Sequence, residues 1–129
     1  MVHDHISDLV TRIRNAARAS LSTFLVPRTK VSISILHLLF KEGFISGYHI
    51  KDAFSIEVFL AYSGNKPVIQ NIRRVSTPGH RIYWSLKKLQ RMLQFENNIV
   101  YILSSSHGIV LSSYADLFGV GGEVICKVS

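Results

Sequence analysis

A chain of 129 residues that is 47% hydrophobic and 18% charged has enough apolar material to bury a core, which excludes a disordered basic tail. Fifteen Lys and Arg against eight Asp and Glu give a formal charge of +7, a surplus that favours a polyanionic partner such as nucleic acid or an anionic membrane surface. The longest apolar clusters, residues 35–40 and 99–103, fall far short of the roughly 20 residues a spanning helix requires, and one cysteine, Cys126, permits neither an internal disulfide nor a cysteine-based zinc site.

From Asp4, a natural N-cap, the residues Ile6, Leu9, Val10, Ile13, Ala16 and Ala17 recur at helical spacing, which predicts a first helix with one face turned inward. Arg12, Asn15 and Arg18 fall on or near the opposite face and Arg14 at its edge. Three arginines without nearby acids suit phosphate binding through bidentate bonds, although such a face also serves simply to be solvated. Arg12, Arg14, Arg18 and Arg28 among serines and apolar residues also resemble an organellar presequence, against which Asp4 and Asp8 argue. Residues 25–27 form an extended link. Over residues 30–42 the run VSISI alternates like a strand, yet Val31, Ile35, Leu38 and Leu39 keep helical spacing, and length together with Gly43 at a C′ position decides for a helix. Strands follow at 44–50, 54–62 and 68–75, separated by turns at Lys51-Asp52 and at 63–67.

The run STPG at 76–79 is a clear break. Around it Arg73, Arg74, His80, Arg81, Tyr83 and Trp84 bring charge and aromatic surface together, the pairing used for phosphate contact and base stacking. A solvent-facing loop beside a core aromatic is the competing reading. Residues 85–94 form a short helix through Leu86, Leu89, Met92 and Leu93. After the Asn97-Asn98 turn, the buried strand 99–103 runs directly into Ser104, Ser105, Ser106 and Gly108, a stiff tip carrying small donors and acceptors. Serines at strand ends either satisfy local backbone groups or bind a ligand. A return strand at 109–111, a short helix capped by Ser112 or Ser113 and ending at Phe118, a glycine turn and a last strand at 123–128 complete the chain. GVGG is too short for a P-loop and lacks the following Lys-Ser/Thr. The pattern predicts an α+β fold of two small packed domains: residues 1–75 of α-β-α-β-β type and residues 76–129, mainly β with short helices.

Neighbouring Ser106 and His107 point apart on a turn, with no carboxylate evidently placed to orient the histidine and no G-x-S-x-G elbow, so no catalytic residues and no enzymatic activity are expected. His3, His5, His37, His49, His80 and His107 form no recognised ligand spacing, and neither metal nor cofactor is expected.

Blocks in a fixed order then carry a resemblance: DLVTRIRN at 8–15, KEGFI at 41–45, RVSTPGHRIY at 74–83, LSSSHG at 103–108 and GVGGEVIC at 119–126. Over nearly its whole length the chain resembles the family of small-subunit ribosomal protein eight, for which RVS-x-PG-x-R-[IV]-Y and GGE-[VI]-[IL]-C are specific. The resemblance implies a structural protein that binds the central domain of small-subunit rRNA and supports subunit assembly and translation. Neighbouring small-subunit ribosomal proteins are implied as partners, with no membrane and no small-molecule substrate. It implies that Ser104, Ser105, Ser106, His107, Gly108, Gly122 and Glu123 meet an irregular RNA stem, while Arg12, Arg14 and Lys30 meet further backbone; Arg74, Arg81 and Tyr83 join this RNA-binding set. Small hydroxyls reach displaced bases and 2′-hydroxyls where long side chains collide, a carboxylate accepts from base amino groups, and the cations supply salt-sensitive affinity.

The chain departs from the family's pattern in several places. Ser105 replaces a threonine, and His107 replaces a common lysine, exchanging a fixed charge for a titratable one. Leu111-Ser112 stands for Thr-Asp, and the short helix is apolar where the family's is charged, which suits a neighbouring protein better than RNA. The low charged fraction resembles an organelle-encoded, mitochondrial member, with bacterial cytoplasm or plastid as alternatives, and because the resemblance begins by Asp4 no removable presequence is expected. The competing functional reading is a non-ribosomal basic module for anionic membranes or other structured RNA, resting on charge and the amphipathic first helix.

Overall fold

The computed structural model describes residues 5–96 and 98–129; Asp4, His3 and Asn97, to which a cap, a histidine and half of a turn signal were assigned above, lie outside them. The chain divides into two compact units, Met1–Ile72 and Arg73–Ser129, and helices and antiparallel sheet are mixed throughout, as the α+β reading requires.

In the first unit, helix α1 (His5–Arg18) buries Leu9, Val10, Ile13 and Ala16 along one stripe. Strand β1 (Thr23–Pro27) follows, then helix α2 (Lys30–Lys41), β2 (Ile45–Ile50) and β3 (Ser55–Leu60). The α2 region is helical despite its alternating VSISI run, because Ile35, Leu36, Leu38 and Leu39 form one buried face. Thr29 caps it by accepting a hydrogen bond from the Ser32 amide at 3.0 Å. The sheet has the order β1-β3-β2, and β3 alternates buried Ile56, Val58 and Leu60 with half-buried residues. Helix α1 packs on β1, α2 on β2, and the two helices on each other. Where an extended link was expected at 25–27, β1 pairs with β3 in continuous register from Thr23↔Phe59 to Pro27↔Ser55; Pro27 is tolerated because it ends an edge strand. At the β2–β3 turn, Asp52 Oδ1 accepts from the Phe54 and Ser55 amides, both at 2.8 Å, and these bonds hold its carboxyl below the usual carboxylate range.

A small hairpin, β4 (Tyr62–Ser63) with β5 (Lys66–Pro67), closes the unit. The strand expected over 68–75 is confined to β6 (Ile72–Arg74). Ile69 is buried, but among the described residues its segment has no partner strand, so apolar content alone does not make it β.

The second unit continues with β7 (Tyr83–Trp84), α3 (Leu86–Phe95), β8 (Val100–Ser105), β9 (Gly108–Leu111), α4 (Ser112–Phe118) and β10 (Gly122–Val128). The sheet order is β6-β10-β8-β9, with β7 also on β10. The core gathers Trp84, Leu89, Tyr101, Leu103, Ala115 and Val124, and the Trp84 and Tyr101 rings meet edge to face at 4.8 Å. Trp84 therefore belongs to the core and not to the exposed basic-aromatic surface considered above: its β7 neighbour Tyr83 points out while Trp84 points in. Cys126 is fully buried, and burial pushes its thiol up to about 12.

Helices α1 and α2 end in the same motif with different residues. In each, the C″ amide reaches back five residues, Leu21 to Ala16 and Phe44 to Leu39, and the C′ residue takes a left-handed conformation. After α2 this residue is Gly43 at φ 81°; after α1 it is Ser20 at φ 55°. Ser20→Gly is expected to raise stability by about 0.5–1 kcal/mol in urea unfolding, the relief of left-handed strain exceeding the added unfolded-state entropy. The Cys126 thiol is expected to stay unreactive towards a disulfide reagent at pH 8 until the unit opens. Because its folded-state pKa is raised, it contributes stability below the ordinary thiol pKa that is lost as pH climbs towards 12.

Candidate nucleic-acid interface

Strands β8 and β9 meet through the pairs Ser104↔Ile109 and Ser105↔Gly108, which leaves Ser106 and His107 at the tip of a tight hairpin. Gly108 sits at φ 92°, the left-handed step that lets the chain turn back into β9. The three serines have different employments. Ser105 Oγ donates to the Gly108 carbonyl at 3.0 Å and accepts from the His107 amide at 3.1 Å, so it stiffens the turn from within. Among the described residues the Ser104 and Ser106 hydroxyls have no hydrogen-bond partner; Ser104 is half-buried and Ser106 exposed. The His107 ring stacks on Phe118 of α4 with centroids 4.7 Å apart and planes 22° off parallel.

Strand β10 brings the acid to the serines. Glu123 lies opposite Ser104 on one side and opposite Tyr83 on the other. Residues directly opposed in antiparallel strands share a face, so Tyr83, Glu123, Ser104 and Ile109 form one row across four strands. The approach depends on two glycines. A Cβ on Gly122 would run into the Ser104 carbonyl oxygen, and one on Gly121 into the Trp84 carbonyl oxygen. Gly122 thus acts through its missing side chain, and Gly121 shares that duty. Glu123 is mostly covered, and its Oε2 accepts from Arg81 Nη1 at 3.0 Å, an ion pair half open to solvent on the arginine side. The arginine neutralises the acid within an otherwise cationic chain and leaves carboxylate lone pairs available. Tyr83, 69% exposed, presents its ring beside this row.

The RVSTPGHRIY block supplies the support. Ser76 is buried; its Oγ accepts from the Ile82 amide at 2.9 Å and donates to the Ile82 carbonyl at 3.1 Å, closing the loop whose tip is cinched by paired bonds between Thr77 and His80. This loop sets Arg81 and Tyr83 at the row's edge. Arg74 Nε donates to the Ser76 carbonyl, so part of its guanidinium serves the same loop. Ser76, Gly121 and Phe118 support the candidate site through the loop bonds, the close backbone approach and the ring stack just described, and their residue types alone do not mark them for it. The first two lie inside the blocks quoted above, whereas no spacing rule marks Phe118.

Arg12, Arg14 and Lys30 belong to the first unit and are not part of this row. The arginines of α1 were expected to lack nearby acids; Arg12 in fact has one a turn away. Its Nε donates to Asp8 Oδ1 at 3.0 Å and its Nη1 to the Leu25 carbonyl at 3.1 Å. Arg14 donates from Nε and Nη2 to the Ile72 carbonyl at 3.2 and 2.9 Å. Lys30, the first residue of α2, is exposed.

Comparison with known proteins agrees with this arrangement of blocks. The family model described as Ribosomal protein S8 matches residues 4–129. Among similar proteins, the small ribosomal subunit protein uS8 of Orientia tsutsugamushi is 44% identical, covering 97% of this chain and 96% of its own length. That of Blochmanniella pennsylvanica is 39% identical over 99% and 98%, and the small ribosomal subunit protein uS8c of Oltmannsiellopsis viridis is 41% identical over 99% of each. The chain belongs to the ribosomal protein S8 family, the uS8 proteins of the small ribosomal subunit.

Proposed function

We propose that this chain is a structural, non-catalytic constituent of the small subunit that binds the central domain of its rRNA through the second unit and supports assembly and translation. The observation that carries this reading is the row on β7, β10 and β8 with the adjoining hairpin tip: the Ser104 hydroxyl in the row and the Ser106 hydroxyl at the tip, both without a partner among the described residues, an acid directly opposite Ser104, and an exposed tyrosine at the edge. Such a surface reads an irregular stem through base edges and 2′-hydroxyls, the acid accepting from base amino groups, while cations hold phosphates. Arg81 both orients Glu123 and lends charge to the surface. Leu117, 76% exposed, and Phe118 give α4 an apolar outer side that fits a neighbouring small-subunit protein better than RNA. The low charged fraction and this apolar helix support a mitochondrial member, for which the chain is expected to sediment with mitochondrial small subunits.

The division of labour among the serines makes the reading testable. Ser106→Ala combined with Glu123→Gln is expected to lower preference for the cognate central-domain stem over a scrambled stem by about ten- to a hundredfold, the loss of one or two base-edge contacts of roughly 1–3 kcal/mol. Filter binding checks the ratio, and the footprint on small-subunit rRNA should fade at the same stem. Ser105→Ala should instead loosen the turn, costing about 1 kcal/mol of stability in urea. A wild-type ratio in the double variant contradicts the proposal.

A further inference from the structure

The outer edge of β2 differs from the opposite edge of its sheet. At the β2–β3 turn the Lys51 amide donates to the Ser55 carbonyl at 3.0 Å, and bonded positions alternate along an antiparallel pair. Gly47 and His49, opposite Phe59 and Glu57, therefore bond to β3, while Tyr48 and Ile50 turn amide and carbonyl outward. Among the described residues nothing takes these outward groups. On β1, by contrast, Arg12 Nη1 occupies the Leu25 carbonyl and Pro27 has no amide to offer. We propose that the free edge of β2 pairs with an extended segment of a partner protein in which arginine alternates with apolar residues; the inference rests on the fold of the first unit and not on the serine turn.

Gly47 is the first sign of an approaching backbone. Among the described residues a Cβ there would meet nothing within 4 Å, and its φ is not in the left-handed region, so neither packing nor conformation within the chain calls for glycine. Glycine inside a strand costs stability and marks places where another backbone comes close. The register shift at Ser46 confines the regular edge to residues 47–50. Ser46 Oγ closes that bulge by donating to the Phe59 carbonyl at 3.1 Å.

The side chains on the two faces of β2 define the partner. Tyr48 shares with buried Val58 the face turned towards the helices, and beside it lies a cleft of about 390 Å³ lined by His37, Phe40, Gly47 and Tyr48. The Phe40 and Tyr48 rings meet edge to face at 6.4 Å, the Tyr48 hydroxyl meets His37 Nδ1 at 3.3 Å, and Phe40 stays 46% exposed. A residue opposite Tyr48 on an added strand projects over this cleft, which suits an apolar ring. The next residue, opposite His49, falls on the other face, where the cross-strand row Leu25, Glu57, His49 reaches the edge. Glu57 is the only carboxylate in β1, β2 and β3. Its ion-pair partner there is His49, whose Nδ1 lies 3.6 Å away and which carries charge only when protonated. His49 also stacks on Phe59 with centroids 5.8 Å apart and planes 22° off parallel. An arginine in this position lies along the two rings and brings a permanent cation to Glu57, so charge complementarity selects it.

The test titrates the full chain with a short peptide in which arginine alternates with valine around a central phenylalanine. The backbone amides of Tyr48 and Ile50 are expected to shift and to gain about tenfold protection from hydrogen exchange, with Ser104, Ser106 and Glu123 unmoved. N-methylation of alternate peptide amides should abolish these shifts in one phase and preserve them in the other, which tests the backbone pairing without altering the chain. Glu57→Gln is expected to weaken the arginine peptide about three- to fivefold, as for one surface ion pair, and to leave a citrulline counterpart unaffected. Absent shifts, equal effects of the two methylation phases, or equal losses for the arginine and citrulline peptides overturn the inference. It is also overturned if the Tyr48 and Ile50 amides move on adding the rRNA stem or on concentrating the chain alone, since the edge then serves RNA or a second copy. The stem preference that tests the serine turn is read separately and does not depend on any of these results.

Discussion

The proposed recognition surface depends on how closely the backbone of β10 approaches β8 at residue 122. A side chain there would put a carbon into the Ser104 carbonyl oxygen and against the Ser105 Cα. With glycine at 122 the strands close, and Glu123 falls opposite Ser104 while Tyr83 closes from the other side. Just beyond, the β10–β8 register shifts between Val124 and Cys126. This bulge accommodates three successive buried residues, Val124, Ile125 and Cys126, where a regular strand would turn every second side chain to the same face. The strand that positions the acid thus also buries Val124, Ile125, Cys126 and Val128, which gives the acid a rigid base.

Hydroxyls and guanidinium groups are divided between internal and external duties. Ser76, Ser105 and Ser112 bond to backbone, holding respectively the Arg81–Tyr83 loop, the hairpin tip and the start of α4 against the Tyr101 amide. Among the described residues the Ser104 and Ser106 hydroxyls have no such bond, and in the proposed function they are the ones that meet RNA. Arg12, Arg14 and Arg74 each tie to a carbonyl oxygen, so the formal surplus of cations overstates what is free to meet phosphate. Arg18 and Lys66 carry no such tie. A basic protein of this size therefore uses several of its charges as cross-links between backbone segments.

What could be read from the sequence follows local physics. The α2 helix was legible because four apolar residues at helical spacing and a C′ glycine agree, and the serine hairpin because a β-branched run ends in hydroxyls and glycine. Strand β1 was not legible: a short run ending at proline becomes β only through its pairing with β3. The reverse held at 68–71, which has strand-like residues but no partner. Trp84 looked like surface beside Arg81 and Tyr83 because alternation along a two-residue strand cannot be phased without its neighbour; pairing with β10 decides that Tyr83 faces out. At the site, residue types were readable, and so was the nearness of Glu123 to the serines, which the resemblance set against one stem and which the Glu123–Ser104 pairing bears out; the Arg81 ion pair and the His107–Phe118 stack join residues far apart in sequence and arise only in the fold.

Gly122→Ala tests the central constraint most directly. The added methyl must push β10 away from Ser104, so stability is expected to fall by about 1–3 kcal/mol. Preference for the cognate stem over a scrambled one should collapse while salt-sensitive binding to both persists. A variant as stable as the parent that keeps the parent's stem preference would contradict the claim that this backbone contact sets the recognition surface.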